Sequence, residues 1–177
     1  MRRVCVFCGA AAGNDPRYAA AAGELGRSLA ARSVELVTGG GKVGLMGVVA
    51  DAALAAGGRV IGVIPRFLEE REVAHRGLTE LHVVESLHER KALMHELSSA
   101  FVALPGGFGT LDELMESITW AQLGLHAKPI GIVNVAGYFD ELLAFVEQAR
   151  GAGFIPAAHG EILTVRDDAN AIVAALT

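Results

Sequence analysis

Short runs of apolar residues alternate with stretches of amphipathic helical spacing almost from one end of the chain to the other. "RVCVFC" (3–8) precedes a helical pattern over about 16–32, and "VELVT" (34–38) precedes one over about 44–57. "RVIGVIP" (59–65) runs into a charged stretch, and "LHVVE" (81–85) leads into a helix over about 86–99. "AFVALP" (100–105) opens on a glycine-rich turn and another helix. "PIGIVNV" (129–135) precedes a helix over 138–151, and "EILTV" (161–165) precedes a short one at the C-terminus. Strands that read as continuous apolar runs are buried on both faces, and a helix after each one supplies the crossover a parallel sheet needs. Right-handed crossovers then give an α/β, doubly wound, Rossmann-like sandwich. The 177 residues fit a single domain, 1–177, with 52% apolar residues to fill it. The one long irregular charged piece, "RFLEEREVAHRGLTE" (66–80), is the natural binding loop or lid.

In such folds ligands sit beyond the carboxyl ends of the strands. Three glycine-rich turns belong there: "CGAAAGNDP" after the first strand, "TGGGKVGLMG" after the second and "PGGFGT" after the fifth. Gly39, Gly41 and Gly44 spell G-x-G-x-x-G, but a dinucleotide fingerprint follows the first strand and is answered by an acidic residue about 20 positions on. Here Ile64-Pro65 stand at that distance, with Glu69 and Glu70 further out. Gly41-Lys42 is followed by Val43 rather than Ser or Thr, so the loop is no Walker A motif either. A phosphate or ribose phosphate held by backbone N–H groups at helix N-termini suits such loops; tight turns packed for topology alone are the other reading.

Charge narrows the classes. A net charge of −5 offers no basic footprint for nucleic acid, and no run of 18 apolar residues is present to span a membrane. The N-terminus passes from Met1-Arg2-Arg3 into a strand without a signal-peptide pattern, which predicts a cytoplasmic protein. Cys5 and Cys8 form a C-x-x-C, but on a strand they point to opposite faces and have no second pair. The six histidines show no ligand spacing, so neither metal nor cofactor is expected.

Three charged residues stand out. Thr110 to Glu113 spell T-x-x-E, a capping box. On a helical wheel Leu111, Leu114, Met115, Ile118 and Leu125 share one face, leaving Glu113, Glu116 and Trp120 opposite, toward a cleft or a subunit partner. Arg90 falls within a stripe of Leu87, Met94 and Leu97, where it must either extend to solvent or meet an anion, because an unpaired buried charge costs several kcal/mol, roughly. Lys91, one of three lysines, lies beside it.

"HERKALM" followed by "LPGGFGTLDEL" closely resembles the paired R-K and P-G-G-x-G-T-x-x-E motifs of the Lonely Guy family, the cytokinin riboside 5′-monophosphate phosphoribohydrolases once labelled lysine decarboxylases. The resemblance extends over "CGAAAGNDPRY", "TGGGKVGLMGVVADAALAAGGRVIGVIP" and "ITWAQLGLHAKPIGIVNVAGYFDELL", nearly the whole chain. It implies catalytic roles for Arg90 and Glu113, with Lys91 beside Arg90 in substrate binding. It implies a 5′-phosphate loop at Gly106, Gly107, Phe108, Gly109 and Thr110, and further substrate contacts from Glu72, Thr119, Met94, Gly40 and Gly41. The sequence departs from the family at Ala10 and Ala11, where serines are frequent, at Thr38 for a tyrosine and at Leu87 for a methionine. The missing hydroxyls leave the part played by the first loop open.

The activity implied is hydrolysis of the N-glycosidic bond of an N6-substituted adenosine 5′-monophosphate, with Glu113 near C1′ and a homodimer as the assembly. A general AMP nucleosidase and a non-catalytic nucleotide-binding protein are the alternatives on the same scaffold. A pyridoxal phosphate decarboxylase is rejected: it needs a Schiff-base lysine in a much larger fold, and Lys42, Lys91 and Lys128 are the only candidates.

Overall fold

A computed structural model of the chain describes residues 2–69, 73–156 and 162–176. Seven parallel strands form one sheet in the order β4-β3-β2-β1-β5-β6-β7. They are β1 (Arg3–Phe7), β2 (Glu35–Thr38), β3 (Val60–Pro65), β4 (Glu80–Val84), β5 (Ala100–Ala103), β6 (Ile130–Val133) and β7 (Leu163–Arg166). The helices are α1 (Pro16–Ala31), α2 (Gly44–Ala55), α3 (Arg66–Glu69), α4 (Leu87–Leu97), α5 (Phe108–Gln122), α6 (Asp140–Gly151) and α7 (Ala169–Leu176). The expected alternation is therefore realised. Among its described residues, the irregular 66–80 segment contains the single turn of α3. No helix among the described residues is long and apolar enough to cross a membrane.

Period-two alternation divides the sheet's side chains between two apolar layers. Val4, Val6 and Cys8 pack with Leu25 and Leu29 of α1, Val49 of α2 and Ile172 of α7. Cys5 and Phe7 pack on the other face with Met94 of α4, Leu114 of α5 and Phe139. The two cysteines thus lie on opposite faces, buried and unbridged, and burial raises the pKa of both thiols.

The placement of the site follows from strand order. The chain builds outward from β1 to β4, then crosses back through α4 to add β5 on the other side of β1. The turns after β1 and β5 consequently leave in opposite directions, α1 to one face and α5 to the other, and a crevice opens between them. Asp15 caps α1 through a hydrogen bond from Arg17 N, and Pro16 begins the helix with a favourable φ.

Candidate active site

A cleft of about 650 Å³ lies over that crevice. Its walls are the first loop (Cys8–Gly13), parts of the second (Gly39, Gly41, Val43) and the third (Pro105–Thr110). Leu45, Met46, Ile64, Leu68 and Val73 add an apolar side, and Arg90, Glu113, Tyr18 and Tyr138 complete the lining. The first loop lines the cleft despite lacking serines. Gly44 has φ +64 and sits so close to the Ala10 carbonyl that a Cβ would overlap it, which brings the first and second loops together. Residues 73–75 fold onto the second loop, with Lys42 N donating to Val73 O (2.8 Å) and His75 N to Gly40 O (2.8 Å).

Arg90 and Glu113 meet at the floor. Arg90 Nη1 donates to Glu113 Oε1 at 2.8 Å, Nε to Val63 O at 3.1 Å and Nη2 to Gly39 O at 3.3 Å. Three of the five guanidinium N–H groups are thereby fixed. Gly39 provides the seat, since a Cβ there would overlap the guanidinium. The arginine in the apolar stripe of α4 has thus met an anion, and Leu87, assigned to the same stripe, is exposed instead. Glu113 is 6% exposed, and burial raises its pKa despite the opposing charge of Arg90, with Asp112 adding to the rise. Among the described residues only its Oε1 has a hydrogen-bond partner. A carboxylate so placed can take a proton from water or stabilise positive charge developing in the cleft.

The capping-box reading of Thr110 and Glu113 does not hold. Gly107 is the N-cap of α5, and Thr110 lies in the helix's first turn with its side chain against Gly106. The wheel's division of α5 holds for Glu113, which lines the cleft, and needs correction for Trp120 and for Leu125, which is exposed. The helix is covered by the sheet on one side and by α4 on another, so Glu113 is buried and Trp120 packs at a tilt against His95 of α4 (ring centroids 4.4 Å apart). Glu116 pairs with Lys91 at 3.2 Å. One helical turn beyond Glu113, Ser117 Oγ donates to Glu113 O (2.8 Å) and meets His95 Nε2 at 2.9 Å. With the hydroxyl proton given to the carbonyl, Nε2–H is the donor in the second bond. Burial, with the nearby charges of His126 and Lys128, lowers the His95 pKa to about 4. A neutral imidazole thus ties α4 to α5 beside the ion pair.

Of the residues singled out from the sequence, Arg90, Glu113, Gly41, Gly106, Gly107, Phe108, Gly109 and Thr110 come together at the cleft. Lys91 does not line it: burial pulls its pKa down, but hydrogen bonds to Asp112 (3.0 Å) and Glu116 outweigh that and raise it. Met94 is buried in the core beneath α4. Thr119 is exposed, its hydroxyl donating to Met115 O at 2.7 Å. Gly40, at φ +77, packs toward Ile64 and Leu81. Glu72 lies outside the described residues. Sequence reasoning missed Tyr18, Tyr138 and Met46, which reach the cleft from α1, from the turn after β6 and from α2. Only the overlap of "NDPRY" and "AGYFDELL" with the family resemblance pointed toward the tyrosines.

The chain is similar to known proteins over almost its full length. A family described as "Possible lysine decarboxylase" matches residues 46–176. A rice protein (Oryza sativa subsp. japonica) named "Probable cytokinin riboside 5′-monophosphate phosphoribohydrolase" is 55% identical over 173 residues, covering 98% of this chain and 76% of the relative. A cytokinin riboside 5′-monophosphate phosphoribohydrolase of Arabidopsis thaliana is 48% identical over 98% of this chain and 81% of its own length. Among solved structures, the molybdenum cofactor carrier protein of Chlamydomonas reinhardtii superposes with a TM-score of 0.75 at 21% identity, covering 99% of this chain and 95% of that one, a likeness of fold alone. At half identity along nearly its whole length, with the Arg90–Glu113 pair facing a glycine-walled cleft, the chain belongs to the Lonely Guy family, the cytokinin riboside 5′-monophosphate phosphoribohydrolases.

Proposed function

We propose that this protein hydrolyses the N-glycosidic bond of cytokinin riboside 5′-monophosphates, releasing the free N6-substituted adenine and ribose 5-phosphate. The observation that carries the reading is the buried Arg90–Glu113 ion pair at the floor of the cleft. A non-catalytic nucleotide binder has no use for a carboxylate held at an energetic cost beneath an apolar pocket.

The chemistry follows from these groups. Departure of the base builds positive charge on the ribose, and the Glu113 carboxylate stabilises it and takes a proton from the attacking water. Arg90 orients that carboxylate through Nη1, and its two uncommitted N–H groups face the sugar or the leaving base. The amides opening α5 at Gly107 to Gly109 hold the 5′-phosphate. Such anchoring can supply about 7 kcal/mol of the barrier reduction through orientation alone. The apolar wall of Met46, Leu68 and Val73 suits an N6 side chain and favours prenylated nucleotides over AMP. Lys91, Thr119, Gly40 and Glu72 complete the substrate set in a homodimer, whose contact uses the outer surface of α4 and α5, while Met94 contributes only to the core beneath α4. A fully active monomer in sedimentation would overturn that assembly. We also infer a cytoplasmic setting, in which the unbridged Cys5 and Cys8 persist.

The test is chromatographic. Isopentenyladenosine 5′-monophosphate, AMP and isopentenyladenosine are each incubated with the protein and with Glu113→Gln. Base released from the monophosphates but not from the riboside, and abolished by the substitution, is the expected result. A faster AMP reaction would shift the assignment to purine salvage. Binding without any base release would make the protein a nucleotide carrier.

A further inference from the structure

The turn after β6 holds two successive residues in left-handed backbone, and it ends at the cleft. Asn134 leaves the strand, and a short 3₁₀ turn (Val135–Gly137) follows it. Ala136 has φ +56 and Gly137 φ +72. Left-handed conformation in an alanine is unfavourable, and it persists only where the surroundings impose it. The surroundings here are explicit. Buried Asn134 donates from Nδ2 to Asp140 Oδ1 (2.7 Å) and accepts at Oδ1 from Phe139 N (2.8 Å), while Gly137 has no room for a Cβ beside the Asp140 carboxylate. This clasp delivers one side chain, Tyr138, to the cleft.

Tyr138 Oη donates to the Gly106 carbonyl at 2.6 Å. Its ring meets Tyr18 edge-on, centroids 5.5 Å apart, and Tyr18 in turn covers Gly13 of the first loop. The hydrogen bond matters because of what surrounds it. Pro105 O accepts from Gly9 N at 3.0 Å, and Gly107 O accepts from Leu111 N at 3.1 Å. With Tyr138 on Gly106 O, three successive carbonyls of the P-G-G turn are occupied. The amides that open α5 have no intrahelical acceptor. The turn therefore presents donors to the cleft while each of these carbonyls is already engaged, an arrangement suited to an anion.

We infer that Tyr138 is a positioning residue for the 5′-phosphate, an inference that rests on the proposed nucleotide substrate. A trans peptide is rigid, with its C=O and N–H directed oppositely. Pinning Gly106 O toward Tyr138 fixes the direction of Gly107 N–H at the other edge of the same plane. Having given its proton to Gly106 O, the hydroxyl has none for the phosphate, so Tyr138 acts through the loop. Without it, the Gly106 peptide is free to rotate, and a carbonyl oxygen can turn toward the bound anion.

The test is binding by calorimetry in a Glu113→Gln background, so that ligands stay intact. AMP and adenosine are titrated into that protein and into the same protein carrying Tyr138→Phe, which keeps the ring and its contacts. Loss of one hydrogen bond should weaken AMP about three- to tenfold and leave adenosine within about twofold. The thermal midpoint should stay within about 2 °C, whereas a purely structural role would shift the midpoint and weaken both ligands alike. Undiminished AMP affinity, or equal loss for both ligands, overturns the positioning role. If the Glu113→Gln protein itself binds AMP no better than adenosine, the phosphate-loop reading fails, and this inference fails with it.

Discussion

Glu35 and Glu113 are both buried carboxylates held by arginine, and the protein uses them in opposite ways. Glu35, at the start of β2, is 5% exposed and accepts from Arg3 Nε (2.7 Å) and Arg59 Nε (2.9 Å). The Arg3 and Arg59 side chains are themselves 35% and 53% exposed, so the cluster lies against solvent at the amino edge of the sheet. Hydrogen bonding by Arg3 outweighs the cost of burial, and the Glu35 pKa falls. Glu113 has a similar exposure, a single guanidinium, and an arginine only 12% exposed. Desolvation wins there, and the pKa rises. Small accessible surface does not therefore decide a carboxylate's character. The number of donors and the water within reach of those donors decide it. Glu35 is satisfied and stabilises the fold, whereas Glu113 is left reactive.

The strongest test of the contrast is Glu113→Gln, which should lower base release by about 10³-fold while the protein stays folded, as steady-state kinetics beside circular dichroism would show. Gly39→Ala should come next, at roughly 10²-fold, because a methyl group would displace the Arg90 guanidinium and with it the carboxylate. Glu35→Gln should instead cost about 2 kcal/mol of stability and leave kcat unchanged, a fall in thermal midpoint of about 4–8 °C. The smallest effects are in pH dependence, and they have opposite signs. The stability from Glu35 is present above its ordinary carboxylate value of 4.5 and is lost as pH falls through its lowered folded value. For Glu113 the contribution is present below 4.5 and is lost as pH rises through its raised value. Between about pH 4 and about pH 7 the midpoint of Glu35→Gln should fall relative to the parent, and that of Glu113→Gln should rise. The same raised value predicts an acid limb of kcat/KM centred above 4.5, absent from the residual activity of Glu113→Gln.

The sheet and its helices were legible because buried parallel strands and amphipathic helices carry strong periodic signals. Arg90 was legible for a different reason: a charge inside an apolar stripe demands a partner, and the partner proved to be Glu113, 23 residues on. The contact that Tyr138 makes was invisible, since its partner is a backbone carbonyl 32 positions earlier and a carbonyl has no sequence signature. The reading of α5 was right for Glu113, which faces the cleft, and wrong for Trp120, because a wheel does not show that α4 covers part of the face opposite the sheet. Glu35 gave no functional signal either. It is one carboxylate at a strand start, and its two arginines come from β1 and from the residue before β3.

The crossover through α4 also has a kinetic consequence. Arg90 binds carbonyls of residues 63 and 39 from the first half of the sheet and a carboxylate from the second half. The two halves join where β1 pairs with β5, a junction whose residues, Arg3 and Ser99, are 96 apart in the chain. Neither half can form the ion pair's setting alone, and contacts that distant in sequence are slow to close. During refolding, helix content can return early, but turnover can return only after that junction has formed. Recovery of activity is thus a clock for completion of the sheet.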